Sequence, residues 1–311
     1  MNTAAHSLAV LFPGQGSQEK GMGRDLAEAK SQAMELWQLA EKRSGLPLRE
    51  IYWHGEDAAQ ADTRNLQPAM TAVNLNLWLA VKDKLSPMAM AGHSLGEYAA
   101  LAASGALPIE AALELVSLRG RLMGEAGGGA MAAILKVSLA DVETMVARAH
   151  ETTGAIILVA NYNSPGQYVI SGDKTAVDTA CGLCREYKGR AVPLAVSGAF
   201  HSPIMAEAAA ELTKALKKAA WRAPKMPVYM NVSAQAVSDP GQLLDLACRQ
   251  MTSGVRWIET MNNLYTAGAR TFLEIGPKGV LSKLAKANLE GRPDWQSINL
   301  ATWEAAQAFT I

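Results

Sequence analysis

Residues 87–103 read PMAMAGHSLGEYAALAA: a short apolar run, then Gly92-His93-Ser94-Leu95-Gly96, then small residues following Glu97 and Tyr98. The apolar run predicts a strand and 97–103 a helix, so this G-x-S-x-G falls on a strand-to-helix turn. A serine there is lifted out of the sheet and sits at the helix N-terminus. Glycine suits both flanks because a Cβ would run into neighbouring backbone, and the turn's N–H groups and the helix dipole favour a developing oxyanion. The bland alternative is a Gly/Ser turn before an ordinary helix, but strand and helix both match what a nucleophile needs.

Outward from this turn, 8–12, 88–91, 228–231 and 271–275 read as strands separated by helical stretches. That alternation predicts a parallel sheet covered by helices on both faces, an α/β core of the α/β-hydrolase-like kind. The pattern changes after Gly127-Gly128-Gly129, a hinge-like run. From there strand 130–137, a helix capped by Ser138, strands 155–160 and 167–171, helix 174–187 and strand 190–196 give the order β-α-β-β-α-β of a ferredoxin-like unit. The expected organisation is a discontinuous large domain, 1–127 plus 198–311, with an inserted small subdomain, 128–197.

The 311 residues are 49% hydrophobic and 19% charged, which suits a globular chain with a large core and excludes disorder. Lys plus Arg and Asp plus Glu are 29 each, so the net charge is 29 − 29 = 0 and no global field attracts nucleic acid or an anionic membrane. The N-terminus has no Lys or Arg before Lys20 and only a short apolar run, and no stretch approaches the roughly 18 apolar residues of a spanning helix; a cytoplasmic location is expected. Cys181, Cys184 and Cys248 are too few for a disulfide framework or a four-cysteine zinc site. Val177, Cys181 and Cys184 fall at i, i+4 and i+7, the spacing of a buried helix face, which favours packing over redox chemistry for the Cys-x-x-Cys pair.

A serine nucleophile needs a base, and there are five histidines. His6 is near the terminus, His54 lies in a polar loop, His150 ends a helix, and the side chain of His93 diverges from that of its neighbour Ser94. His201 remains, in the turn-rich loop 197–203, as a base or as a structural loop histidine. No Asp or Glu announces itself as a third member. On helix 111–123, Leu115, Arg119 and Leu122 place a guanidinium on an apolar stripe, either in a buried ion pair or at a bound anion; Arg121, with Glu125 at i+4, reads as a solvated pair. The turn Pro13-Gly14-Gln15-Gly16-Ser17-Gln18 lacks the third glycine of a dinucleotide fingerprint and matches no P-loop, but at a strand end beside the serine turn it could supply an oxyanion N–H.

Five segments in order, Phe12-Pro13-Gly14-Gln15-Gly16-Ser17-Gln18, Gly92 to Tyr98, Asn161-Tyr162-Asn163-Ser164-Pro165-Gly166-Gln167, Gly198-Ala199-Phe200-His201-Ser202 and Glu274-Ile275-Gly276-Pro277, resemble the malonyl-CoA:acyl carrier protein transacylases over nearly the whole chain. The resemblance implies that malonyl-CoA acylates Ser94, that His201 is its base, and that a backbone carbonyl near Gln250 orients the histidine in place of an acid. It implies N–H groups of Gln15 and Leu95 as the oxyanion hole and a malonyl carboxylate on Arg119, with His93 and Gln250 also lining the substrate site.

The family also implies ping-pong transfer to the phosphopantetheine thiol of an acidic acyl carrier protein, with no metal or redox cofactor, and a monomer is expected. Lys188, Arg190, Lys283 and Lys286 are the basic docking candidates, each also readable as an ordinary solvated charge. The chain departs from the family at Gly254, where proline is usual, and in the order of residues 276–280; both are loop changes that bear on local rigidity. The competing readings are an acyl-thioester hydrolase with the same Ser94 and His201, disfavoured by the expected buried Arg119, and a carrier-binding or transferase subunit of a malonate decarboxylase or polyketide assembly.

Overall fold

The computed structural model describes residues 7–196 and 198–309, so His6 and Ser197 lie outside the described residues. Ten strands follow in order: β1 (Leu8–Phe12), β2 (Ala89–Gly92), β3 (Ala130–Leu135), β4 (Ile157–Ser164), β5 (Gln167–Gly172), β6 (Arg190–Pro193), β7 (Val228–Tyr229), β8 (Ala236–Val237), β9 (Thr271–Ile275) and β10 (Gln296–Leu300). Six form one sheet in the order β10-β9-β1-β2-β7-β8, parallel except for the last pair. The other four form an antiparallel sheet in the order β4-β5-β3-β6, the ferredoxin-like arrangement.

β1 shows why the large sheet is parallel. Its five residues are all buried, with Leu8, Val10 and Phe12 feeding the core on one face and Ala9 and Leu11 the core on the other. A strand buried on both faces needs a helical layer on each side. Helices Thr63–Val81 and Ile109–Glu125 pack closely through two glycines one turn apart. A Cβ on Gly120 would lie 2.9 Å from the Thr63 carbonyl oxygen, and one on Gly124 2.7 Å from Arg64 Cγ.

The small sheet carries its own core, in which Val177 and Cys184 are buried and Cys181 is half-buried; all three cysteines are free thiols. The Ser138 hydroxyl accepts from Asp141 N–H at the head of helix Leu139–Thr153, and Gly154, at φ 67°, ends it. Helical geometry after Lys174 tightens at Cys184 into a 3₁₀ turn that runs to Tyr187.

The two sheets meet along β4. Tyr162 N–H donates to Val255 O at 2.9 Å and Val255 N–H to Ala160 O at 2.8 Å, so a loop of the large unit runs parallel to the end of β4. Asn288 Nδ2 adds a bond to Asn163 O at 2.8 Å. Glu274, in the Glu274-Ile275-Gly276-Pro277 segment, accepts from the N–H groups of Leu281 and Ser282 and so caps helix Val280–Asn288.

Strand 228–231 is shorter than its apolar pattern suggests: it ends at Tyr229, and Met230 and Asn231 turn toward the serine loop. Among the described residues no helix is long and apolar enough to cross a membrane. Two glycines give opposite expectations. A Cβ on Gly96 would sit 2.0 Å from Phe12 O, so Gly96→Ala is expected to lower stability by about 3 kcal/mol or more. Gly182 meets nothing within 4 Å and lies in a helix, so Gly182→Ala is expected to raise stability by about 0.5 kcal/mol. Urea denaturation midpoints of the two variants check both signs.

Candidate active site

Ser94 sits between β2 and helix Gly96–Ala103 at φ 50°, a left-handed conformation that non-glycine residues adopt only when their surroundings impose it. The flanking glycines impose it here. A Cβ on Gly92 would lie 2.0 Å from the Gly96 carbonyl, and Gly96 itself rests against Phe12 O. Asn231 braces the turn from the side: its Oδ1 accepts from Ser94 N–H at 2.7 Å and its Nδ2 donates to Gly92 O at 2.6 Å.

Ser94 Oγ has two side-chain partners. His201 Nε2 is 2.7 Å away and Arg119 Nη2 3.1 Å away. His201, itself at φ 58° and 3% exposed, turns its Nδ1 toward two backbone carbonyls, Gln250 O at 3.1 Å and Ser253 O at 3.0 Å. Two acceptors place the ring proton on Nδ1 and leave Nε2 as an acceptor for the serine hydroxyl. Burial first, and the neighbouring Arg119 charge second, lower the His201 pKa to about 3, so the imidazole is neutral in the resting site.

Arg119 is 1% exposed, and no carboxylate pairs with it among the described residues. Of the two readings left open by the sequence, the buried ion pair is therefore absent. Its Nη1 donates to Gln67 Oε1 at 2.9 Å, its guanidinium lies 5.7 Å from the centre of the Tyr98 ring, and its Nε has no acceptor. A guanidinium stays charged under burial, and a buried cation bonded only to neutral groups, with a donor left over among the described residues, is chemically suited to an anion. Arg121 pairs with Glu125 at 3.2 Å on the surface.

The turn after β1 lies against the serine turn. A Cβ on Gly14 would be 2.4 Å from His93 O and 3.5 Å from Leu95 N. Within this pair of turns, Gly16 N–H and Ser17 N–H have acceptors, as do those of Gly96 and Glu97, whereas Gln15 N–H and Leu95 N–H have none among the described residues. The side chain of Gln15 bonds Thr63 Oγ1.

His93 points elsewhere. Its Nε2 donates to Asn163 Oδ1 at 2.7 Å and its ring packs edge-on against Trp257, along the seam between the sheets. Gln250 contributes both its carbonyl, to His201, and its side chain, whose Nε2 donates to Ser94 O and to Glu97 Oε1 at 2.9 Å each. Lys188, Arg190, Lys283 and Lys286 are exposed. Arg190 begins β6, one edge of the small sheet, while the helix bearing Lys283 and Lys286 packs on β4, the other edge. Three strand spacings, about 15 Å, separate those edges. His54 and His150 are exposed, the latter bonded to Ala155 O.

Gln67, Ser253, Asn231, Asn163 and Glu97 escaped the sequence reading. Two of them left a signal: Glu97 is the sole charge in 92–103, and Asn231 is a polar residue closing an apolar strand pattern. Nothing marked Gln67 or the Ser253 carbonyl. Among the described residues no three His, Cys, Asp or Glu side chains gather as metal ligands.

A serine bonded to a neutral histidine, two unpartnered N–H groups beside it and a buried cation form a site fit for acyl transfer from a substrate bearing an anionic group. Residues 10–304 match the family model described as "Acyl transferase domain". The malonyl CoA-acyl carrier protein transacylase of Bacillus subtilis (strain 168) is 39% identical over 284 residues, 90% of this chain and 89% of that protein. The solved acyl carrier protein S-malonyltransferase of Vibrio cholerae O1 biovar eltor superposes with a TM-score of 0.90 at 36% identity, covering 97% of this chain and 99% of that one. A malonyl-transacylase solved in complex with a type II PKS acyl-carrier protein also gives 0.90, at 34% identity over 97% and 98% of the two chains. With these matches over nearly its full length, the chain belongs to the acyl transferase family, among the malonyl CoA-acyl carrier protein transacylases.

Proposed function

We propose that this protein moves a malonyl group from malonyl-CoA to the phosphopantetheine thiol of an acyl carrier protein through an ester on Ser94. The observation that carries this reading is Arg119, a buried guanidinium without a carboxylate partner whose Nη2 already reaches Ser94 Oγ. A malonyl carboxylate fits it; a neutral acyl group would leave it unpaired.

His201 Nε2 takes the Ser94 proton as Oγ attacks the thioester carbonyl. The N–H groups of Gln15 and Leu95 hold the oxyanion. When the intermediate collapses, the C–S bond breaks and CoA leaves with the proton that His201 returns. The carrier thiol then gives its proton to Nε2 and attacks the ester; the second collapse restores Ser94 O–H and leaves malonyl on the carrier. Since the Arg119 charge contributes to the low basicity of His201, a carboxylate seated on Arg119 raises that basicity as the acyl group arrives. Lys188 and Arg190 on one side and Lys283 and Lys286 on the other are proposed to flank the docked carrier, whose acidic surface they complement.

Three outcomes test this. Wild-type protein mixed with malonyl-CoA is expected to show a malonyl adduct by intact mass that Ser94→Ala lacks; an adduct on the variant would overturn the nucleophile, and steady CoA release without carrier would mark a hydrolase. Arg119→Ala is expected to lower malonyl transfer by about 1,000-fold and acetyl transfer far less; equal losses would return Arg119 to a structural role. Reversing the charges at Lys188 and Arg190, or at Lys283 and Lys286, is expected to raise KM for the carrier several-fold with malonyl-enzyme formation unchanged. Carrier kinetics insensitive to salt would remove these four residues from the docking surface.

A further inference from the structure

Glu97 is a buried carboxylate, 1% exposed, and no step of the transfer uses it. Its surroundings are specific. Oε2 accepts from Asn231 N–H at 2.5 Å and Oε1 from Gln250 Nε2 at 2.9 Å. Each donor belongs to a residue that also holds the serine turn: Asn231 Oδ1 takes Ser94 N–H, and Gln250 Nε2 is shared with Ser94 O. Gln250 has a second attachment, since its main-chain carbonyl accepts from His201 Nδ1.

We propose that Glu97 is a positioning residue that clamps the turn carrying the nucleophile to the loop that orients its base. Through Gln250 it sets where the His201 acceptor stands relative to Ser94; through Asn231 it holds the Ser94 backbone in its left-handed conformation. The proposal rests on the Ser94 and His201 roles given above.

The geometry asks for two accepting oxygens rather than any polar group of that size. Both partners are donors, and an amide in its place would have to turn an NH₂ toward one of them, leaving two buried donors facing each other. Burial opposes the charged form. Desolvation raises its pKa to about 8, against the hydrogen bonds from Asn231 and Gln250 and the Arg119 charge that lower it. Both donors that meet its carboxyl belong to residues tied to the reacting pair.

The test compares Glu97→Gln with Gln250→Met, which cuts the same clamp from the other end and keeps the backbone carbonyl. Formation of malonyl-Ser94 and acetyl-Ser94 is followed by rapid quench and mass, with thermal midpoints and ¹⁵N shifts of His201 alongside. Each variant is expected to lose about 100-fold in kcat for both acyl groups, with KM for malonyl-CoA unchanged and the Nδ1–H tautomer of His201 no longer dominant. The double variant is expected to be slowed by less than the product of the two single losses, because the two changes share the Glu97–Gln250 bond. Should Glu97→Gln fail to fold, Gln250→Met carries the same readouts. A lowered thermal midpoint with kcat within threefold of wild type would overturn the proposal and leave Glu97 a structural brace, and a rise confined to KM for malonyl-CoA would do so by making it a substrate contact. The transfer reading fails separately, if wild-type protein forms no adduct.

Discussion

Two backbone turns touch at the ends of neighbouring strands, and the site follows from that contact. β1 and β2 are paired with Phe12 opposite Gly92, so the turns that leave them emerge about one strand spacing apart. Gly14 then meets His93 O, and Gly96 meets Phe12 O, at separations that exclude any side chain. With the turns locked together, the unpartnered N–H groups of Gln15 and Leu95 share one small region, and Ser94 is forced into the conformation that presents Oγ above it. Parallel pairing is what allows this, since it brings two C-terminal strand ends to the same edge.

Electrostatics in the pocket are arranged by what is missing as much as by what is present. Arg119 reaches its position because Gly120 and Gly124 let two helices approach, and its hydrogen bonds and ring contact there go to Gln67, Ser94 and Tyr98, with the Glu97 carboxyl near enough to feel its charge but not bonded to it. An internal carboxylate bonded to it would have occupied the place proposed for the substrate carboxylate. Backbone carbonyls stand where an acid would at His201: they fix the tautomer without bringing a charge of their own to the ring.

What could be read in the sequence was local or strongly periodic. The serine turn, the alternation of strands and helices, and the β-α-β-β-α-β order each depend on short-range pattern, and each is present in the structure. β8 and β10 were not foreseen: the first is two residues long, and Gln296–Leu300 is a partly exposed edge strand whose pairing with β9 is decided by tertiary context. Buried amides were invisible for a related reason. Gln67 is one of several amides on helix Thr63–Val81 and Asn231 follows a strand, and neither spacing nor composition says which distant atom an amide will meet. The same holds for the second carbonyl at His201, which any residue at 253 would supply.

The backbone bonds between β4 and Val255 bear on timing. A small unit that swung open like a lid would have to break Tyr162 N–H to Val255 O and Val255 N–H to Ala160 O, stranding main-chain groups. The same loop carries the carbonyls that orient His201. Wide opening along this seam would therefore take from His201 the carbonyls that hold its ring toward Ser94. The spacing of the two sheets along this seam is therefore settled when the chain folds, and the same backbone bonds that join the sheets keep the histidine ring in register with Ser94.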